Sequence, residues 1–156
     1  MTRRIVLAIA LICFATVAMA KPNFTGSWKI NASKSKSTGD FPLPQKFDRK
    51  IAHADPSLQV STTQSGFQGG ADRTTELKYT TDGKEVVNQL PNGEAKGTAK
   101  WDGDVLVVES TRKFQDNEIK QVERWSLSAD GKTLEIENKI SGGFGDFEMK
   151  YVLDKQ

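Results

Sequence analysis

Residue types that commonly catalyse reactions are scarce in this sequence. It has one histidine, His53, and one cysteine, Cys13. His53 comes just before an Asp55-Pro56 turn, so we expect it to be an exposed residue at the end of a strand. A Ser-His-Asp or Cys-His site needs a histidine held beside its partners, and a single turn histidine does not supply one. The sequence therefore predicts no catalytic site, and we expect a protein that is not an enzyme.

The segments of the sequence most similar to a metal-binding motif are turns that contain aspartate. Three Asp-Gly pairs resemble fragments of calcium-binding loops, at Asp82-Gly83, Asp102-Gly103 and Asp130-Gly131. None carries the full twelve-residue ligand spacing of such a loop. Asp-Gly is also a preferred pair in tight hairpin turns. We therefore expect hairpin turns at these positions, with no metal site and no cofactor.

The N-terminal segment has the composition of a signal peptide. Arg3 and Arg4 precede an apolar run over residues 5–17, and residues 18–20 read Ala-Met-Ala, which signal peptidase accepts. The run is shorter than the roughly 20 apolar residues that a membrane-spanning helix needs. We predict cleavage after Ala20, secretion or export to the periplasm, and no stable membrane insertion.

Removal of this leader would make the chain electrically neutral. Without Arg3 and Arg4 the number of Lys and Arg residues falls from 22 to 20, which equals the 20 Asp and Glu residues. No basic run is interleaved with aromatic residues, so nucleic acid and anionic membrane surfaces gain no electrostatic attraction to this chain. We expect neither as a partner. The remaining residues, 21–156, suit one domain.

Turn residues recur at near-regular intervals between short segments in which apolar and polar side chains alternate. Near the C-terminus Leu134 and Ile136 alternate with Glu135 and Glu137, which is typical of antiparallel strands with one face in water. That polar outer face excludes a barrel embedded in lipid. The sequence predicts an all-β fold, an antiparallel up-and-down barrel of about eight to ten strands. The ten predicted strands lie at residues 24–30, 46–53, 57–64, 72–80, 84–90, 94–101, 104–112, 118–127, 133–140 and 146–153.

The first strand and two later segments carry motifs of a known superfamily. Residues 24–29 read Phe-x-Gly-x-Trp-Lys, residues 100–103 read Lys-Trp-Asp-Gly, and residues 124–127 read Arg-Trp-Ser-Leu. These motifs resemble the calycin barrels, in particular the lipocalins and the fatty-acid-binding proteins, over most of the mature chain. The resemblance implies a barrel plugged at its closed end by Trp28. Segment 31–44 matches no period, and we expect a loop or short lid where fatty-acid-binding proteins carry a helical cap.

The resemblance fails at the residues that bind a carboxylate in the fatty-acid-binding proteins. Their Arg-x-Tyr motif corresponds here to Met149-Lys150-Tyr151, with Lys150 in the outward register, and a second arginine corresponds to Trp125. A fatty-acid carboxylate would therefore lack both of its usual partners. We expect a neutral, apolar or aromatic ligand instead.

Large inward side chains away from Trp28 are the predicted ligand-binding residues. They offer flat, polarizable surface and two phenolic hydroxyls. These residues are Phe47, Tyr79, Trp125, Met149 and Tyr151. The same register turns several polar residues inward, where they must pair internally or line a wet cavity. These are Arg49, Arg73, Gln121, Glu123 and Asn138.

Two functions remain open on this evidence. The first is an exported lipocalin-like protein that binds a small neutral hydrophobic ligand inside the barrel. The second is a secreted barrel-type protease inhibitor, or another protein-interaction module, that acts through segment 31–44 and does not use the cavity.

Overall fold

The computed structural model describes residues 20–38, 41–65, 70–114, 117–143 and 145–156. All of the predicted leader except Ala20 lies outside this part of the chain, so its cleavage stays a prediction. No helix that could cross a membrane occurs among the described residues.

In the described part of the chain, eleven strands form one antiparallel sheet that curves into a barrel. Its strand order is β5-β4-β3-β1-β11-β10-β9-β8-β7-β6, and the short β2 pairs with β11. The strands are β1 Gly26–Ile30, β2 Lys36–Ser37, β3 Phe47–Ala54, β4 Ser57–Gln64, β5 Arg73–Thr80, β6 Val86–Leu90, β7 Gly93–Asp102, β8 Val105–Phe114, β9 Asn117–Leu127, β10 Thr133–Ser141 and β11 Phe147–Lys155. The predicted all-β antiparallel barrel is confirmed, and β2 is an addition within segment 31–44.

The inward residues of β7 to β11 are aligned in rows that run across the strands. Because side chains alternate along each strand, residues paired across neighbouring strands face the same side of the sheet. One row contains Tyr151, Ile136, Trp125, Leu106 and Trp101. The next row contains Met149, Asn138, Glu123, Val108 and Ala99. The second row therefore places polar side chains among apolar ones inside the barrel.

Trp28 is buried, as predicted, with 1% of its surface exposed. Its indole Nε1 donates a hydrogen bond to the carbonyl oxygen of Phe24 at 2.9 Å. The Phe24 ring packs edge-on against Trp125, with centroids 5.6 Å apart. The opening motif thus builds part of the hydrophobic core.

The prediction that His53 is exposed is wrong, because only 7% of its surface is accessible. It follows Phe47, Arg49 and Ile51 at period two on the inward face of β3, and the turn begins only after Ala54. Its Nδ1 accepts a hydrogen bond from the backbone N–H of Phe24 at 3.3 Å. His53 therefore fixes the N-terminal segment to β3.

A gap remains between β5 and β6, which share no ladder of backbone hydrogen bonds. Asn88 of β6 bridges the gap with its side chain. Its Oδ1 accepts a hydrogen bond from the Lys78 N–H at 2.7 Å, and its Nδ2 donates to the Lys78 carbonyl at 3.0 Å. This side-chain amide replaces one pair of backbone bonds and brings the barrel close to full closure.

Candidate functional site

A cavity of about 740 Å³ lies inside the barrel. Its wall comes from β3, β4, β5, β8, β9, β10 and β11, together with residues 41–45 and 70–71 at the mouth. All the predicted ligand-binding residues line this cavity, namely Phe47, Tyr79, Trp125, Met149 and Tyr151. The structure therefore brings these five together, and their contact with a ligand stays a prediction.

Aromatic rings surround an arginine in the cavity wall. Phe47 and Tyr151 stack with ring centroids 4.2 Å apart. The guanidinium carbon of Arg49 lies 4.8 Å from the Phe47 centroid and 5.0 Å from the Trp125 centroid. Cations are attracted to aromatic faces at such distances. These rings hold the Arg49 guanidinium in place.

Arg49 and Glu123 form a buried bidentate ion pair across the cavity. Arg49 Nη1 donates to Glu123 Oε2 at 2.8 Å, and Nη2 donates to Oε1 at 2.7 Å. Gln121 Nε2 and Trp125 Nε1 also donate to Glu123, at 2.8 Å and 2.7 Å. The Glu123 carboxylate thus accepts four hydrogen bonds, and the pair is formally neutral.

Burial alone would raise the pKa of Glu123. The opposing charge of Arg49 and the hydrogen bonds from Arg49, Trp125 and Gln121 outweigh burial and lower the pKa below its ordinary value. Glu123 is therefore ionised at neutral pH, and its charge is cancelled where it lies.

Both tyrosines of the cavity keep their protons at neutral pH. Burial and the nearby Glu123 charge raise the pKa of Tyr151 to about 12, and the same two causes raise the pKa of Tyr79. The Tyr151 hydroxyl donates to the thioether of Met149 at 2.8 Å. The phenols are therefore neutral hydrogen-bonding groups.

The predicted inward polar residues fall into two sets. Arg49, Gln121 and Glu123 pair with one another, whereas Asn138 lines the cavity with its Oδ1 unbonded among the described residues. Arg73 lines the cavity but is exposed, because it is the first residue of β5 and lies at the mouth. Arg73 thus has the predicted inward register, at the solvent-exposed end of the cavity.

Sequence reasoning did not select Arg112, which also lines the cavity. It is an exposed residue near the end of β8, and it continues the inward series of Leu106, Val108 and Ser110. The period-two pattern could have identified it.

Of segment 31–44 the structure describes residues 31–38 and 41–44, and residues 41–44 line the cavity at its mouth. Lys36 and Ser37 pair with Lys150 and Met149 of β11, and Phe41 stacks on Phe147 with centroids 4.4 Å apart. The sequence predicted a loop or short lid here, and the described part contains a short strand.

Lys150 faces outward, as predicted, and its Nζ lies 2.7 Å from Glu135 Oε2. It is absent from the cavity wall and cannot replace the missing arginine. No cluster of three or more metal-ligating side chains occurs among the residues that the structure describes.

Among known proteins, similarity to this chain was found in solved structures, and it concerns the fold. No family model matches the sequence, and no curated protein matches it. A zebrafish ileal bile acid-binding protein, solved with cholic acid, is similar with a TM-score of 0.53 and 18% identity, over 85% of this chain and 98% of its own. The chain has a calycin-like barrel fold.

Two further solved structures share this calycin-like barrel, both from Ramazzottius varieornatus. A secretory abundant heat soluble protein has a TM-score of 0.55 and 19% identity, over 85% of this chain and 94% of its own. Secretory abundant heat soluble protein 4 has a TM-score of 0.55 and 15% identity, over 88% and 96%. At such low identities the likeness establishes the fold alone.

Proposed function

We propose that this protein is an exported calycin-like barrel that binds one small, neutral, hydrophobic ligand in its cavity. The observation that carries the proposal is the internal Arg49–Glu123 pair, which leaves no net charge deep in a cavity lined mostly by apolar and aromatic side chains. Its volume of about 740 Å³ lies within the range of about 300–1,000 Å³ that is common for ligand pockets.

The buried ion pair disfavours a charged ligand head at this depth. A carboxylate there would compete with Glu123 for Arg49, and each displaced or unpaired charge costs several kcal/mol in a dry interior. The Arg49 faces already lie against Phe47 and Trp125. A neutral ligand requires no rearrangement of this pair.

Entry of the ligand past segment 31–44 is part of the proposal. Phe41, Pro42, Leu43 and Pro44 line the cavity at its mouth. A segment that forms part of the cavity wall is placed to control access to it, which supports binding inside the barrel over protease inhibition through this segment.

Tryptophan fluorescence tests the proposal, because Trp125 lines the cavity. The mature protein is titrated with a retinoid alcohol and with a fatty acid of similar size. We expect saturable quenching and tighter binding of the retinoid, and Trp125→Ala should weaken that binding. Tight fatty-acid binding that is indifferent to Trp125→Ala contradicts the neutral-ligand proposal.

The protease-inhibitor alternative makes the opposite prediction in the same samples. An inhibitor would leave both probes unbound and would protect the substrate of a co-secreted protease. Mass spectrometry of the native, undenatured protein would then identify any ligand retained from the source.

A further inference from the structure

Asn138 is a buried polar side chain of the cavity wall with an unused hydrogen-bond acceptor. Only 3% of its surface is exposed, and it lies on β10 among the residues that line the cavity. Its Oδ1 accepts no hydrogen bond from the described residues. Buried amide oxygens are nearly always hydrogen-bonded, so an unbonded one is an exception that requires a partner.

The residues paired with Asn138 on the neighbouring strands supply no hydrogen-bond donor to its Oδ1. Register places Asn138 directly between Glu123 of β9 and Met149 of β11. Glu123 offers no hydrogen-bond donor while it is ionised, and its four bonds come from Arg49, Gln121 and Trp125. Neither strand neighbour therefore donates a hydrogen bond to Asn138 Oδ1.

One hydroxyl donor lies close to Asn138 and is weakly used. Tyr151 donates its O–H to the sulfur of Met149 at 2.8 Å, and a thioether is a weak acceptor. Register pairs Asn138 with Met149, so the Tyr151 hydroxyl that bonds the Met149 sulfur lies on the Asn138 side of the cavity. A better acceptor placed beside Tyr151 would attract its O–H.

We infer that the ligand of this cavity carries an uncharged hydroxyl group that binds between Asn138 and Tyr151. This inference rests on the proposed function and names the chemical class of its ligand. The ligand O–H donates to Asn138 Oδ1, and the ligand oxygen accepts from the Tyr151 O–H. In this structure protein atoms enclose Asn138 Oδ1. The final torsion of an asparagine is broad, so its rotation brings the amide oxygen to the cavity for the ligand O–H.

Other head groups satisfy less of this arrangement. A hydrocarbon leaves Asn138 Oδ1 unbonded, and a ketone or ether accepts from Tyr151 but donates nothing to Asn138. A carboxylate also has no donor, and it adds a negative charge beside Glu123. An alcohol or phenol is the simplest neutral group that both donates and accepts.

Three probes with one skeleton separate these possibilities. Pyrenebutanol, butylpyrene and pyrenebutyrate are titrated against the mature protein at neutral pH, with energy transfer from tryptophan as the signal. We expect the alcohol to bind about tenfold more tightly than the hydrocarbon, the equivalent of one good hydrogen bond, and the carboxylate to bind most weakly.

A matched pair of variants assigns the preference to one residue. Asn138→Leu should bring the alcohol down to the affinity of the hydrocarbon while hydrocarbon binding is kept. Thr81→Val replaces a buried polar side chain that does not line the cavity, and it should keep the tenfold preference. Tyr151→Phe should remove part of that preference.

The outcomes distinguish this inference from the proposed function. If neither the alcohol nor the hydrocarbon binds the parent protein, the hydroxyl site and the hydrophobic-ligand proposal are both overturned. Equal binding of the two by the parent, or an alcohol preference that survives Asn138→Leu, overturns the hydroxyl site and leaves the hydrophobic-ligand proposal standing.

Discussion

Arg49 of β3 and Glu123 of β9 meet across the interior of the barrel, with two hydrogen bonds of 2.8 Å and 2.7 Å. Each side chain is 6% exposed. The two strands are not neighbours in the sheet, so the pair links opposite walls. It makes the middle of the cavity polar yet uncharged.

Breaking this pair from one side should be strongly destabilising. Glu123→Leu leaves the Arg49 guanidinium buried without its counter-charge, and we expect a loss of about 3–5 kcal/mol in the free energy of unfolding. Urea denaturation measures this loss. The double variant Arg49→Met/Glu123→Leu should recover most of it, because no uncompensated charge remains. A double variant less stable than either single variant would contradict this account.

The same pair should make stability depend on acid. The folded-state pKa of Glu123 lies below its ordinary value of 4.5, so the unfolded chain binds this proton more readily. The contribution of Glu123 is therefore fully present above about pH 4.5 and is lost as the pH falls through the lower folded-state value. Urea midpoints measured between about pH 6 and pH 3 should fall less steeply in Glu123→Gln than in the parent. If the urea midpoints of the parent and of Glu123→Gln fall equally with pH, Glu123 is not a source of the acid dependence.

Trp28→Ala should cost about 3–5 kcal/mol of stability, the usual loss when a large buried aromatic side chain is removed. The substitution also leaves the Phe24 carbonyl without the indole donor. Chemical denaturation monitored by far-ultraviolet circular dichroism gives the loss, and Lys29→Ala, at the exposed neighbouring position, is the control. A Trp28→Ala protein as stable as the parent would show that the core does not depend on this ring.

Asn88→Ala should open the barrel locally at the gap between β5 and β6. The Lys78 N–H and carbonyl would both lose their partner, and we expect a loss of about 1–3 kcal/mol. Amide hydrogen exchange should accelerate in β5 and β6 more than in β9 and β10. Gln89→Ala, at an exposed neighbour, serves as the control, and equal protection of all strands in Asn88→Ala would refute the bridging role.

Export should remove residues 1–20 through the combination of Arg3, Arg4, the apolar run and the small residues before Lys21. The intact mass of the secreted protein tests this directly. A mature species that still contains Cys13 would contradict cleavage after Ala20.

The facing of most side chains could be predicted from the sequence because strand alternation is a local property. Period two alone placed Phe47, Trp125 and Tyr151 on the inner face, and all three line the cavity. The same rule, applied two residues further along β3, would have placed His53 inside as well. The Asp55-Pro56 turn that follows His53 instead predicts an exposed strand end, and the alternation along β3 outweighs that signal in the structure.

Tertiary structure decided which inward residues meet. Arg49 and Glu123 are 74 positions apart, and no local pattern pairs strands that are not neighbours in the sheet. Their distance depends on the closure and stagger of the whole barrel. The curvature of the sheet also brings Asn88 of β6 to Lys78 of β5, and it places Arg73 at the mouth of the cavity. The sequence by itself determined the strands and their inner faces, whereas only the curvature of the whole sheet brought Arg49 to Glu123, where their charges cancel.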